Sequence, residues 1–390
     1  MKRLKIVFYA INGTGLGHIT RLSNIARDIK WLLDEMGVFH QIEFLTTSDA
    51  PHVAGDFLVT KIPSKTTIKE MNLPLSSYAS RARLMIGNCL SMIQPDLLIL
   101  DTTPQGSFNE FSFLKDFSQQ SVFIERHRDE GKIESAIYQS HLKLYDLVIV
   151  PEEPDTANTC LQDENKIKRK LVGKISGYSK RESIERKDVR SLFEVDDDES
   201  LVYVSAGGGG DSDAEKNIKS IVTTLSGMKK TRVLVGNGPL YKGWQCYKKN
   251  IINMSSPNIR QYFAGVDYAI SAGGYNTYEE LLAAGVPTLF YPQTKGLDRQ
   301  DLRVQNGVEK NWNGLISDLS EIGIKERIES FLTSGEKESI YNELKNRATP
   351  EGRFKAAVEI LLLNAQKKHS LLNKELLLSI ATEKCNKSFF

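Results

Sequence analysis

Apolar residues along this chain follow two recurring patterns. One is a short continuous run that ends in glycine or polar residues. The other is a longer stretch with apolar positions three and four apart. Residues 4–10 (LKIVFYA) are of the first kind and run into the glycine-rich 11–18 (INGTGLGH). Residues 18–36 are of the second, with Ile19, Leu22, Ile25, Ala26, Ile29, Leu32, Leu33 and Met36 on one helical face. Continuous runs return at 41–47 (QIEFLTT), 96–101 (DLLILD), 121–125 (SVFIE) and 146–151 (DLVIVP), separated by helical or polar stretches. Such runs suit strands of a parallel sheet covered by helices on both faces.

The pattern weakens over residues 152–200, where charge replaces apolar runs, and then restarts. Residues 200–206 (SLVYVSA) predict a strand, 207–213 (GGGGDSD) a loop and 214–228 a helix. Strands follow at 231–239, 266–271 and 286–292, with a helix over 276–285. Two strand, glycine-loop and helix openings in one chain imply an α/β protein of two Rossmann-like, doubly wound domains facing a cleft. The boundary falls near Gly173 to Lys180. The expected division is 1–175, 176–350 and a helical C-terminal segment over 351–390, able to pack back on the first domain.

The chain has 390 residues, 40% hydrophobic and 26% charged, with a net charge of +2. That balance marks no nucleic-acid binder. Cys89, Cys160, Cys246 and Cys385 are far apart, which argues against a zinc knuckle or disulfide scaffold and fits a reducing cytoplasm. No apolar run reaches the roughly 18 residues that a membrane span needs, and the N-terminal run reads as a buried strand rather than a signal peptide.

Three loops carry candidate chemistry. In the first, Gly15 and Gly17 let a ligand approach the backbone at the carboxyl end of the first strand. A dinucleotide fingerprint would want glycine at position 18, but this chain has His18. An imidazole there serves as general base or anion contact, or merely caps the helix. Asp101 ends the 96–101 run and is placed to orient His18, while Arg126 and Arg128 in ERHRDE are placed for an anionic acceptor or form a solvated loop. In the second loop, four glycines can cradle phosphates, and Asp211 and Asp213 read as helix caps in preference to metal ligands. The third stretch, 270–305, joins Gly273, Gly274, Asn276 and Thr277 at a helix start, Glu280 one turn on, and a polar DRQD after the next strand. The apolar and basic 78–90 (YASRARLMIGNCL) reads as a buried helix or a lipid contact.

The third stretch, GGYNTYEELLAAGVPTLFYP followed by DRQD, resembles the donor-binding region of GT-B glycosyltransferases, above all the MurG type that uses UDP-N-acetylglucosamine. GTGLGH and GGGGDSD are similar to the other glycine loops of that group. The resemblance implies that Glu280 binds the ribose of a nucleotide sugar, UDP-linked by analogy. Gly273, Gly274, Asn276 and Thr277 would hold its diphosphate, Gln300 and Asp301 would contact the sugar, and Gly208 and Gly209 would lie near phosphates or acceptor. Base contacts around Tyr262 and Phe263 are weakly matched, because the segment before the third stretch is shorter than usual.

The expected activity is inverting transfer of a sugar to an acceptor hydroxyl, with His18 as base and neither cofactor nor metal, at the cytoplasmic side and in peripheral contact with the inner membrane face. Two alternatives stay open. Nucleotide-sugar hydrolases of the pseudaminic-acid type share a GLGHITR opening, with histidine activating water. A non-catalytic nucleotide-sugar sensor would keep Glu280 and the 273–277 loop without needing His18. A 2-epimerase finds no matching acidic pattern.

Overall fold

The computed structural model describes residues 2–11, 16–101, 103–125, 136–152, 167–205, 207, 214–293, 299–347 and 350–385. The chain divides into two compact units. Unit 1 comprises Met1–Ile175 and Pro350–Phe390, and unit 2 comprises Ser176–Thr349.

Unit 1 is built on a seven-stranded sheet of β1 (Leu4–Ala10), β2 (His40–Thr46), β3 (Leu58–Lys61), β4 (Leu97–Asp101), β5 (Gln120–Ile124), β6 (Leu147–Val150) and β7 (Arg169–Leu171). All pairings are parallel, in the order β3-β2-β1-β4-β5-β6-β7. β1 lies between β2 and β4, and its alternate residues are buried on both sides of the sheet, which explains its uninterrupted apolar run. Its helices are α1 (Gly17–Glu35), α2 (Lys65–Glu70), α3 (Leu75–Ile93), α4 (Phe111–Leu114) and α5 (Ala136–Leu142).

Unit 2 repeats the scheme with β8 (Ser200–Ser205), β9 (Thr231–Gly236), β10 (Ile251–Met254), β11 (Tyr268–Ala272), β12 (Thr288–Tyr291) and β13 (Gly314–Leu315), parallel in the order β10-β9-β8-β11-β12-β13. Its helices are α6 (Arg186–Leu192), α7 (Ala214–Ser226), α8 (Tyr275–Ala283), α9 (Gln300–Glu309), α10 (Glu321–Thr333) and α11 (Glu336–Asn346). One continuous core joins β8, β9, β11 and β12 to α7, α8 and α10.

The chain then returns to unit 1 as α12 (Gly352–Ala365) and α13 (Lys374–Cys385). α12 packs on α1 through a bidentate ion pair, with Arg353 Nε and Nη2 each 2.9 Å from an Asp28 carboxylate oxygen. Both residues are buried. Gln120 fixes the far end of α12 to β5: its Nε2 donates to Leu363 O at 3.0 Å and its Oε1 accepts from Asn364 Nδ2 at 3.2 Å. At the re-entry point Gly352 lies against the carbonyls of Gly173 and Lys174, and an added Cβ would stand 2.3 and 2.4 Å from those oxygens.

α3 differs from a buried helix. Tyr78, Ala82, Ile86 and Leu90 line its packed face, while Leu84 is 65% and Met92 84% exposed.

Candidate functional site

In both sheets the strand order reverses at one point: between β1 and β4 in unit 1, and between β8 and β11 in unit 2. In open α/β sheets the carboxyl ends of strands at such a point leave a crevice with no helix over it, which is where ligands bind.

Asp101 is the last residue of β4, in register with Ala10 at the end of β1. Its carboxylate is buried, and His18 and Arg21 are among its partners. His18 Nδ1 is 2.9 Å from Oδ1, and Arg21 Nη1 is 3.2 Å from Oδ2 and 3.4 Å from Oδ1. The helix spacing of His18 and Arg21 brings both side chains to one face of α1. His18 does not cap α1; the N-cap is Leu16, without a side-chain hydrogen bond. A carboxylate can only accept, so in the neutral ring Nδ1 carries the proton and Nε2 offers its lone pair. The His18 side chain is 18% exposed whereas that of Asp101 is 0%. The arrangement is an imidazole whose orientation Asp101 fixes.

The loop after Asp101 is braced rather than loose. Glu110, fully buried, accepts from Tyr9 Oη at 2.6 Å and from the backbone N–H groups of Ser107 at 3.2 Å and Phe108 at 2.6 Å. Gly106 has φ +81°, and a Cβ there would meet the Glu110 carboxyl at 2.3 Å, so the loop needs glycine at that point. Burial, then the Glu110 charge, pushes the Tyr9 hydroxyl well above the usual tyrosine range. Gly17 has open space where a side chain would stand. Glu125, which opens ERHRDE, is buried and accepts from Tyr138 Oη at 3.1 Å, with Arg169 Nε 3.5 Å away. Gly15, Arg126 and Arg128 lie outside the described residues.

In unit 2, Gly273 and Gly274 separate β11 from α8. Gly273 is a packing glycine: its N–H donates to Tyr291 O at 3.0 Å, its carbonyl accepts from Arg303 Nη1 at 2.7 Å, and a Cβ would stand 2.7 Å from Val304 Cγ2. Gly274 is the N-cap of α8 and has open space beside it. The first-turn N–H groups of α8, at Tyr275, Asn276 and Thr277, have no acceptor within the helix, which makes this end attractive to anions. Glu280 is buried one turn further on, with Arg260 Nη1 3.6 Å from its Oε1.

The two DRQD residues part company. Gln300 is buried, its Oε1 accepting from the Gln293 N–H at 3.1 Å and lying 3.7 Å from where a Gly273 Cβ would be. Asp301 is 58% exposed and paired with Arg299 at 2.9 Å, which holds its carboxyl below the usual range. Phe263 belongs to the core, and Tyr262 packs edge-on to Phe193. Gly208, Gly209, Asp211 and Asp213 lie outside the described residues. Among the described residues no group of three or more His, Cys, Asp or Glu side chains could hold a metal ion.

Arg21, Glu110, Arg260 and Gln293 were not singled out from sequence. Arg21 and Arg260 sit at ordinary polar positions, and their partners lie 80 and 20 residues away, so only the fold joins them.

No family model matches the chain, and no curated protein matches its sequence. Solved structures do match its fold. The calicheamicin glycosyltransferase CalG4 is 14% identical with a TM-score of 0.59, covering 95% of this chain and 100% of that one. MurG of Acinetobacter baumannii is 13% identical with a TM-score of 0.55, covering 93% and 100%. A UDP-N-acetylglucosamine 2-epimerase is 14% identical with a TM-score of 0.55, covering 95% and 99%. The fold is the two-domain GT-B fold, which these transferases and an epimerase share.

Proposed function

We propose that this chain is a glycosyltransferase that moves a sugar from a nucleoside-diphosphate donor, UDP-linked, to an acceptor hydroxyl with inversion and without a metal. The observation that carries this reading is the buried Asp101 carboxylate holding His18 Nδ1 at 2.9 Å at the switch point of unit 1. It prepares Nε2 to take a proton. The acceptor binds in unit 1 beside Gly17. Unit 2 binds the donor, with Glu280 on the ribose and the α8 N-terminus on the diphosphate. His18 takes the hydroxyl proton as the acceptor oxygen bonds to the anomeric carbon. The bond from that carbon to the diphosphate oxygen breaks, and the nucleoside diphosphate leaves with the electron pair. The α8 amides oppose the charge that develops on it. Gln300, beside Gly273, contacts the donor sugar; Asp301 does so only if it leaves Arg299.

Work at the cytoplasmic membrane face is part of the reading. What supports it is the exposed apolar series Met71, Leu73, Leu75, Leu84, Met85 and Met92, flanked by the exposed cations Lys69 and Arg81. Among the described residues no helix is long and apolar enough to cross a membrane.

A thermal-shift panel of UDP-, dTDP- and GDP-sugars followed by product assay tests the function. Stabilisation by UDP-sugars and acceptor-dependent release of UDP are expected. Full-rate release of free sugar without acceptor would replace transfer by hydrolysis, and isomerised nucleotide sugar would replace it by epimerisation. His18→Ala is expected to cut turnover by roughly 10²–10⁴ while leaving donor affinity unchanged. Near-normal turnover would remove the general-base role.

A further inference from the structure

Buried amide side chains normally find partners for both their oxygen and their nitrogen, because an orphaned polar atom away from water is costly. Among the described residues, two amides that are less than one-tenth exposed keep an atom without any: Asn237 Oδ1 and Gln293 Nε2. Both belong to unit 2, and both stand at the carboxyl rim of its sheet. Asn237 follows β9, and Gln293 comes two residues after β12. These strands flank the β8–β11 pair whose ends form the switch point. A core cost that recurs at a ligand-facing rim is the signature of groups kept for a ligand rather than for the fold.

Gln293 is the better placed of the two. Its backbone N–H is held by Gln300 Oε1, so the residue cannot drift along the rim. The same Gln300 oxygen borders Gly273, whose N–H is held by Tyr291 O at 3.0 Å. Gln293, Gln300 and Gly273 thus form one cluster, next to the anion-ready start of α8. An Nε2 amide is purely a donor, and what it lacks is an acceptor oxygen. A leucine or methionine would fill this position without leaving such a group unmet.

We infer that Gln293 is a sugar-recognition residue: its Nε2 donates a hydrogen bond to an oxygen of the donor's sugar, beside Gln300. This rests on reading unit 2 as the nucleotide-sugar site. Because the donor is shielded from water, a sugar without an oxygen at that point leaves it unpaired, so Gln293 selects among sugars as well as holding one.

The test is Gln293→Met, which keeps the volume and removes the donor. UDP, dTDP and GDP and their glucose and N-acetylglucosamine conjugates are titrated into wild type and variant by calorimetry, with Glu280→Ala alongside. The expected result is an unchanged Kd for the free nucleotide, a Kd for the nucleotide sugar about tenfold weaker, and an unbound Tm equal to or above that of wild type. Unchanged sugar affinity overturns the assignment. So does an equal loss for nucleotide and nucleotide sugar, which would place the amide on the diphosphate. A lowered Tm with loss of every ligand also overturns it, because Gln293 would then be a structural residue. If wild type binds none of the probes, or Glu280→Ala leaves nucleotide affinity intact, the donor-site reading falls first and takes this inference with it.

Discussion

One carboxylate at the end of β4 organises the polar side chains at the switch point of unit 1. Asp101 is shared between His18 and Arg21, so one carboxylate orients both side chains. Asp101→Asn nearly preserves shape but removes the obligate acceptor at Nδ1, allowing the wrong tautomer. Turnover is expected to fall about 10³–10⁴-fold with acceptor KM little changed, as steady-state kinetics would read. In unit 2 the corresponding carboxylate is Glu280, steadied by Arg260. On the proposed reading, in which Glu280 holds the ribose diol, Glu280→Ala is expected to lower UDP affinity about 10–100-fold by calorimetry. Equal affinity for UDP and its 2′,3′-dideoxy analogue in the wild type would remove the ribose assignment.

At the level of elements, α1 shows how packing departs from a one-face reading. Its apolar face is buried as the periodicity expects, but Asp28 on another face is buried too, because α12 covers it. Arg353→Ala would strand that carboxylate, at an expected cost of about 3–5 kcal/mol in urea denaturation. Replacing the pair together by Asp28→Leu and Arg353→Met should recover most of the loss. The long helices and central strands were legible because burial on one or both faces imposes a period on residue types. β3, β7, β10 and β13 were not, being edge or near-edge strands of two to four residues, too short to show one. His18 and Glu280 stood out as ionisable residues beside glycine loops. Gln293 did not, because an unpaired amide is a property of its surroundings and leaves no mark in the sequence.

For the molecule as a whole, both units bury tyrosine hydroxyls. Burial pushes Tyr78 up to about 12 and drives Tyr9, Tyr145 and Tyr268 higher than their usual range. The native state therefore favours the protonated phenols. Their contribution is complete below the unfolded value of about 10 and is lost as pH rises through the folded values. Stability is expected to hold to about pH 9 and fall above about pH 10. Tm against pH, with tyrosinate absorbance followed in parallel, checks this: the buried phenols should ionise only as the chain unfolds. The adjacency of Gly352 to Gly173 and Lys174 means that unit 2 is an insert within unit 1, leaving and rejoining it at one place. Synthesis on the ribosome then runs against the architecture. Asp28 emerges 325 residues before the arginine that neutralises it, a wait of roughly 15–65 s at ordinary elongation rates. Unit 2 can close during that interval, while the first-made half stands with an uncovered, charged helix face. The N-terminal portion is the last to mature, and it is there that a nascent-chain chaperone would find its substrate.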